Sequence, residues 1–188
     1  LGNSDHPLVA DFHFDKKGKR IKMNDASYTK GVKGKALSFS GEGSYVILPY
    51  KEIGYNYTVS FWINPSPGNP DNTVLFQSPN AVVKLNQGTT GNLGFSRDGY
   101  DFKFNYTLPD NTWSHIMISG TNKGTVLFVN GHVQDSLYRH WIQFNKKDKK
   151  RKVETLFFPL KRVGGFKGKI DELKIWNKAL SEEAIKNT

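Results

Sequence analysis

A carboxylate in a strand that otherwise reads as core sets the first chemical question. In Lys169–Trp176 (KIDELKIW) the side chains alternate, and strict alternation puts Asp171 on the face of Leu173 and Ile175. A buried carboxylate must be hydrogen-bonded, paired or bound to a metal. Backbone N–H groups or a Lys/Arg partner satisfy the first two alternatives, and a hard cation such as Ca²⁺ satisfies the third. A second group of residues is built from flat rings. Tyr138, Arg139, His140 and Trp141 adjoin Asn145–Lys152 (NKKDKKRK), which carries six cations in eight residues. Rings of this kind stack on sugar faces, and the cations would steer acidic ligands toward them. The competing role for this segment is docking on an acidic patch of a neighbouring domain. Trp62 points away from Phe61 and Ile63, so it lies on the other sheet face or at an edge and joins the candidate ligand contacts.

Other chemistries find no support. The chain has no Cys, which excludes thiol nucleophiles, disulfides and zinc–thiolate sites. No G-x-S-x-G elbow occurs, and the five His residues show no metal-ligand spacing. Gly31–Lys35 (GVKGK) lacks the spacing of a phosphate loop. Hydrolysis of a glycosidic bond needs two carboxylates facing each other across it. The nearest pair, Asp171 and Glu172, are adjacent and on a regular strand point to opposite faces. The chain therefore reads as non-catalytic.

The elements that must position these residues are strands. Tyr57–Ile63 alternates, with Tyr57, Val59, Phe61 and Ile63 on one face. Tyr45–Leu48, His115–Ser119 and Thr125–Val129 are further strands. Val129 runs directly into Asn130-Gly131, a two-residue hairpin signal that requires positive φ at both positions. Phe12, Phe14, Phe39, Phe61, Phe128 and Trp176 read as core. One helix is predicted near the C-terminus, where Ser181 caps Glu182–Ile185 and Leu180 and Ile185 form a hydrophobic staple. Turn signals between short strands along the whole chain predict an all-β, two-sheet antiparallel sandwich.

Length and charge agree with this. The 188 residues fit one domain, 1–188, excised from or processed out of a larger protein, with 13 Phe, 8 Tyr and 4 Trp for a core. No apolar run spans a bilayer. Of the net charge of +10, most sits in two stretches. Residues 15–35 hold eight Lys/Arg against Asp15 and Asp25, and residues 139–169 hold eleven against Asp148 and Glu154. Charge placed in loops rather than on a helix argues against nucleic acid as a partner; it reads either as solvated loops or as a site for polyanions such as sulfated glycans or anionic wall polymers.

Several segments together resemble the laminin G-like and pentraxin-like domains of concanavalin A type. They are Leu8–Asp15, Asp25–Ser27, Gly34–Gly41, Tyr57–Ile63, Trp113–Ile116, Val129–Gly131, Phe166–Trp176 and Asn177–Ser181, in that order over nearly the whole chain. The resemblance implies a jelly-roll sandwich with a short C-terminal helical turn. It implies a carbohydrate-binding, lectin-like module appended to a secreted or surface-attached bacterial glycosidase, hence an extracellular or cell-surface location. Adhesion to protein, or purely structural packing against a neighbouring domain, is the alternative. It also implies a structural Ca²⁺ near Ile170–Trp176, expected to be held by some of Asp15, Asp25 and Asp171 together with backbone carbonyls, with Asp11 as a substitute for Asp15.

Overall fold

A computed structural model describes residues 8–50, 53–79, 81–97, 99–138 and 161–187. Fifteen strands and one helix are formed: β1 (Leu8–Phe12), β2 (Lys22–Asn24), β3 (Ala26–Lys30), β4 (Lys35–Ser40), β5 (Tyr45–Ile47), β6 (Tyr57–Pro65), β7 (Val74–Gln77), β8 (Ala81–Lys84), β9 (Gly94–Arg97), β10 (Tyr100–Lys103), β11 (Ser114–Thr121), β12 (Gly124–Val129), β13 (His132–Tyr138), β14 (Arg162–Gly164), β15 (Lys167–Trp176) and α1 (Glu182–Lys186). The strands make two antiparallel sheets. The larger has the order β13-β12-β11-β6-β15-β4-β3, with β1 also paired to β15. The smaller has the order β10-β9-β8-β7-β14-β5-β2. This is the predicted all-β jelly-roll sandwich. No helix among the described residues is long and apolar enough to cross a membrane.

Alternation explains the layering. Tyr57, Val59, Phe61 and Ile63 of β6 are fully enclosed and meet Phe76, Val83 and Phe95 of the smaller sheet in one core. Fully burying one such side chain is worth about 1.5–3 kcal/mol. The Asn130-Gly131 turn joins β12 to β13 with φ of 49° and 85°, as the sequence predicts, and Val129 pairs with His132 across it. Helix α1 is also as predicted. Ser181 Oγ accepts the Ala184 N–H at 3.2 Å. Leu180 and Ile185 pack on Met117, Val126 and Phe128, forming a small second cluster on the outer face of the larger sheet. Phe128 is thus buried under the helix rather than between the sheets.

One local irregularity re-aims the side chains of β15. Asp171 pairs with Trp62, but Lys174 pairs with Ser60, so β15 carries one extra residue opposite β6. Glu172 takes up the bulge with φ of 48°. A bulge of this kind reverses the side-chain parity downstream. Ile170 lies inward before it, and Leu173 and Ile175 lie inward after it. The expectation that Asp171 shares the face of Leu173 and Ile175 is therefore corrected. Asp171 opposes Trp62 on the outer face, and Trp176 follows Lys174 onto that face, away from the main core.

Candidate functional site

The bulge marks a change of neighbour. Along one edge of β15, Lys167–Ile170 pair with β4, and Leu173–Trp176 pair with β1. The turn between β3 and β4 folds over the junction. Asp171 lies beneath it, fully buried. Its Oδ2 accepts the Lys33 N–H at 3.1 Å, and its Oδ1 accepts the Glu172 N–H at 2.8 Å. Burial raises its pKa above the ordinary aspartate value, and these N–H bonds oppose the rise. Asp15 grips the same turn from the other side, its Oδ1 accepting the Lys35 N–H at 2.9 Å. The hairpin tip is thus clamped by two carboxylates.

The clamped tip and helix α1 stand as opposite walls of a groove on the outer face of the larger sheet. The groove encloses about 410 Å³, within the range of small-molecule sites. Its floor is Ser60 and Trp62 of β6, His115 of β11, and Lys174 and Trp176 of β15. Val32 and Lys33 form one wall, and Ile185 and Lys186 the other. The Trp62 and His115 rings meet at 5.1 Å with a 58° tilt. Desolvation lowers the His115 pKa, and the Lys174 charge lowers it further, so the ring is neutral at pH 7. A neutral imidazole offers one donor and one acceptor beside the indole. Glu172 also borders the groove, with its side chain largely enclosed. Oε2 is bonded to His13 Nδ1 at 2.7 Å, and Oε1 is enclosed without a hydrogen-bond partner. That bond, with the Asp11 and Glu172 charges adding, raises the His13 pKa against a smaller desolvation effect.

An aromatic floor, walls that each pair an aliphatic side chain with a lysine, and an open top suit a ligand with both apolar faces and polar groups. A family profile described as the concanavalin A-like lectin/glucanases superfamily matches residues 40–186. The chain belongs to this superfamily. Among solved structures, this superfamily member resembles domain 4 of AbnA, a GH43 extracellular arabinanase from Geobacillus stearothermophilus, solved with arabinotriose. The identity is 25%, the TM-score 0.68, and the match covers 96% of this chain and 97% of that one. The binding domain of paraclostridial mosquitocidal protein 1 matches at 18% identity and a TM-score of 0.67, covering 96% of this chain and 51% of that one. The binding domain of botulinum neurotoxin DC, solved with SialylT, matches at 14% and 0.66, covering 96% and 50%. The chain spans about half of these two toxin domains, and they show the fold alone. No curated protein sequence matches the chain.

The expected site residues are dispersed. Trp62 is in the groove, half-buried. Tyr138 ends the edge strand β13 with 60% of its surface exposed. Its register runs through Gly124 to Thr121, six residues along β11 from His115. At strand spacings of about 4.8 Å and a rise of about 3.4 Å, Tyr138 lies roughly 25 Å from Trp62 and belongs to no common site with it. Arg139, His140 and Trp141 lie outside the described residues. The three candidate Ca²⁺ ligands do not all converge. Asp15 and Asp171 hold the tip of the β3–β4 hairpin, whereas Asp25 sits at its base, accepting from Ser40 Oγ at 3.0 Å. Five strand residues separate the two ends, roughly 15 Å. A Ca²⁺ ion holds its oxygens within about 2.6 Å, so Asp25 does not share an ion with Asp15 or Asp171. No cluster of three metal-ligating side chains occurs among the described residues.

Trp176, Lys33, Lys174 and Lys186 were not legible as a site. The bulge hid the outward face of Trp176, and the lysines read as solvated charge. His115 carried a usable signal, because it alternates with Ile116 and Ile118 and so faces the same side as Trp62.

Proposed function

We propose that this chain is a non-catalytic carbohydrate-binding module whose glycan lies in the groove between the β3–β4 tip and helix α1. The observation that carries this reading is the Trp62–His115–Trp176 floor, walled by Lys33 and Lys186. A sugar ring covering roughly 60 Å² of indole gains about 1.5 kcal/mol from apolar burial. Serine, histidine and lysine groups then fix orientation by hydrogen bonding. The resemblance to domain 4 of an extracellular GH43 arabinanase, over nearly the whole of both chains, supports a role as an accessory domain of a secreted bacterial glycoside hydrolase. The carboxylates are placed for structure and not for catalysis. Asp171 is sealed under the hairpin tip, and Glu172 is held by His13.

The test is a panel of plant and microbial oligosaccharides, arabino-oligosaccharides included, titrated into the purified chain by calorimetry. Trp62→Ala should weaken binding about tenfold or more and leave the melting temperature nearly unchanged. Absence of binding across the panel, together with an inert Trp62→Ala, would turn the reading toward a protein-docking domain.

A further inference from the structure

We propose that the groove selects an anionic sugar, one bearing a carboxylate or a sulfate, over neutral glycans. This rests on the glycan-binding reading and adds the substrate class. Three lysines line the groove around the aromatic floor: Lys33 on the hairpin tip, Lys174 on the floor and Lys186 on the helix. Lys186 makes a long pair with Glu182 at 3.8 Å across one helical turn, exposed and weak. Lys33 and Lys174 have no carboxylate within ion-pair distance among the described residues. The acids that should balance them are withdrawn. Glu172 gives one oxygen to His13 and encloses the other, and Asp171 is buried beneath the tip. The groove lining therefore carries three lysines beside Trp62, His115 and Trp176, and Glu172, its carboxylate among the described residues, is engaged by His13.

The positive surface continues beyond the groove. Lys30 and Lys35 flank the tip on which Lys33 sits, and the Asp15–Lys35 bond holds the exposed Lys16 and Lys17 loop against it. Asp11 and Asp15 are the acids of this surface. Asp11 faces His13, and Asp15 accepts the backbone N–H of Lys35. A chain of acidic sugars leaving the groove over the tip would meet cations along its path.

Calorimetry on the full chain at low and moderate salt distinguishes the possibilities. The probes are oligogalacturonate, heparin-derived oligosaccharides and neutral arabino-oligosaccharides of equal length. An anionic series should bind about tenfold or more tighter than the neutral one, and the stronger of the two identifies carboxylate or sulfate as the group recognised. Changing Lys33 and Lys174 together to Gln should abolish that preference and lower the slope of log Kd against log salt by roughly 1–2. The backbone N–H that Asp171 needs from position 33 is retained in this variant, so its melting temperature should match the parent. Equal or tighter binding of the neutral series overturns the inference, as does a preference that survives the double change. If the neutral series binds in a Trp62-dependent way without any anionic preference, the glycan reading stands and only this selectivity falls. If no probe binds and Trp62→Ala changes nothing, both fall.

Discussion

Two histidines beside the groove pull stability in opposite directions with pH. The His13 pKa is raised above 6.5, chiefly by its bond to Glu172. A raised group contributes stability that is present below 6.5 and lost as pH climbs through the folded value. The His115 pKa is lowered below 6.5 by desolvation. Its contribution is present above 6.5 and lost as pH falls through the folded value. The two windows meet at 6.5, so the melting temperature should peak near that pH. His13→Gln should flatten the alkaline side of the profile, and His115→Gln should flatten the acid side. Thermal melts across pH 5 to 9 read this directly, and an unchanged alkaline slope in His13→Gln would refute the assignment. Because His13 is about half exposed, its effect should also shrink as salt is added.

The β3–β4 tip shows how one element depends on residues far away in sequence. A methyl group at Gly31 would run into Asp171 Oδ2 and approach the Lys35 carbonyl carbon at 2.9 Å. Neither atom can retreat, because the carboxylate is held by two N–H groups and the carbon is main chain. Gly31→Ala should therefore cost about 1–3 kcal/mol by denaturant titration, through lost hydrogen bonds to a buried carboxylate. It should also weaken glycan binding, since the wall carrying Lys33 would shift. Val32→Ala, at the exposed crest of the same turn, should cost little. This element marks the boundary of what the chain discloses in linear form. The strands β6, β11 and β12, the Asn130-Gly131 turn and the Ser181 cap follow from local pattern, and each forms where the pattern places it. Asp171 as a buried, N–H-bonded carboxylate is one of the alternatives that its residue type allowed. Its face is not readable, because the bulge at Glu172 depends on β15 exchanging β4 for β1 as its neighbour. That exchange is a tertiary event and leaves no period-two signature. The groove is hidden for the same reason: β6, β11, β15, the hairpin tip and α1 meet only in the folded sheet.

At the scale of the whole molecule, the two sheets divide the work. Among the described residues their facing surfaces hold most of the buried apolar side chains, which frees the outer face of the larger sheet to carry rings and charges without loss of core. A rigid floor of this kind binds with little ordering cost, since Trp62 and His115 are already packed against each other. Among the described residues it presents no pair of carboxyls facing a ligand. A glycosidase needs one carboxyl to protonate the leaving oxygen and a second to act as base or nucleophile, about 5–5.5 Å or 6.5–9.5 Å apart. Among the described residues the groove offers Glu172 alone, and that side chain is committed to His13. The purified chain should therefore release no reducing ends from any oligosaccharide it binds, measured over hours at saturating protein. Binding should instead appear as stabilisation. At a hundredfold excess of glycan over Kd, the folded state gains about 2.7 kcal/mol, and the melting temperature should rise with ligand concentration. Glu172→Gln separates the two roles. If the residue is structural, the variant loses the His13 pairing and the alkaline pH slope, and turnover stays at zero before and after. Turnover in the parent that vanishes in Glu172→Gln would show instead that the groove is an active site.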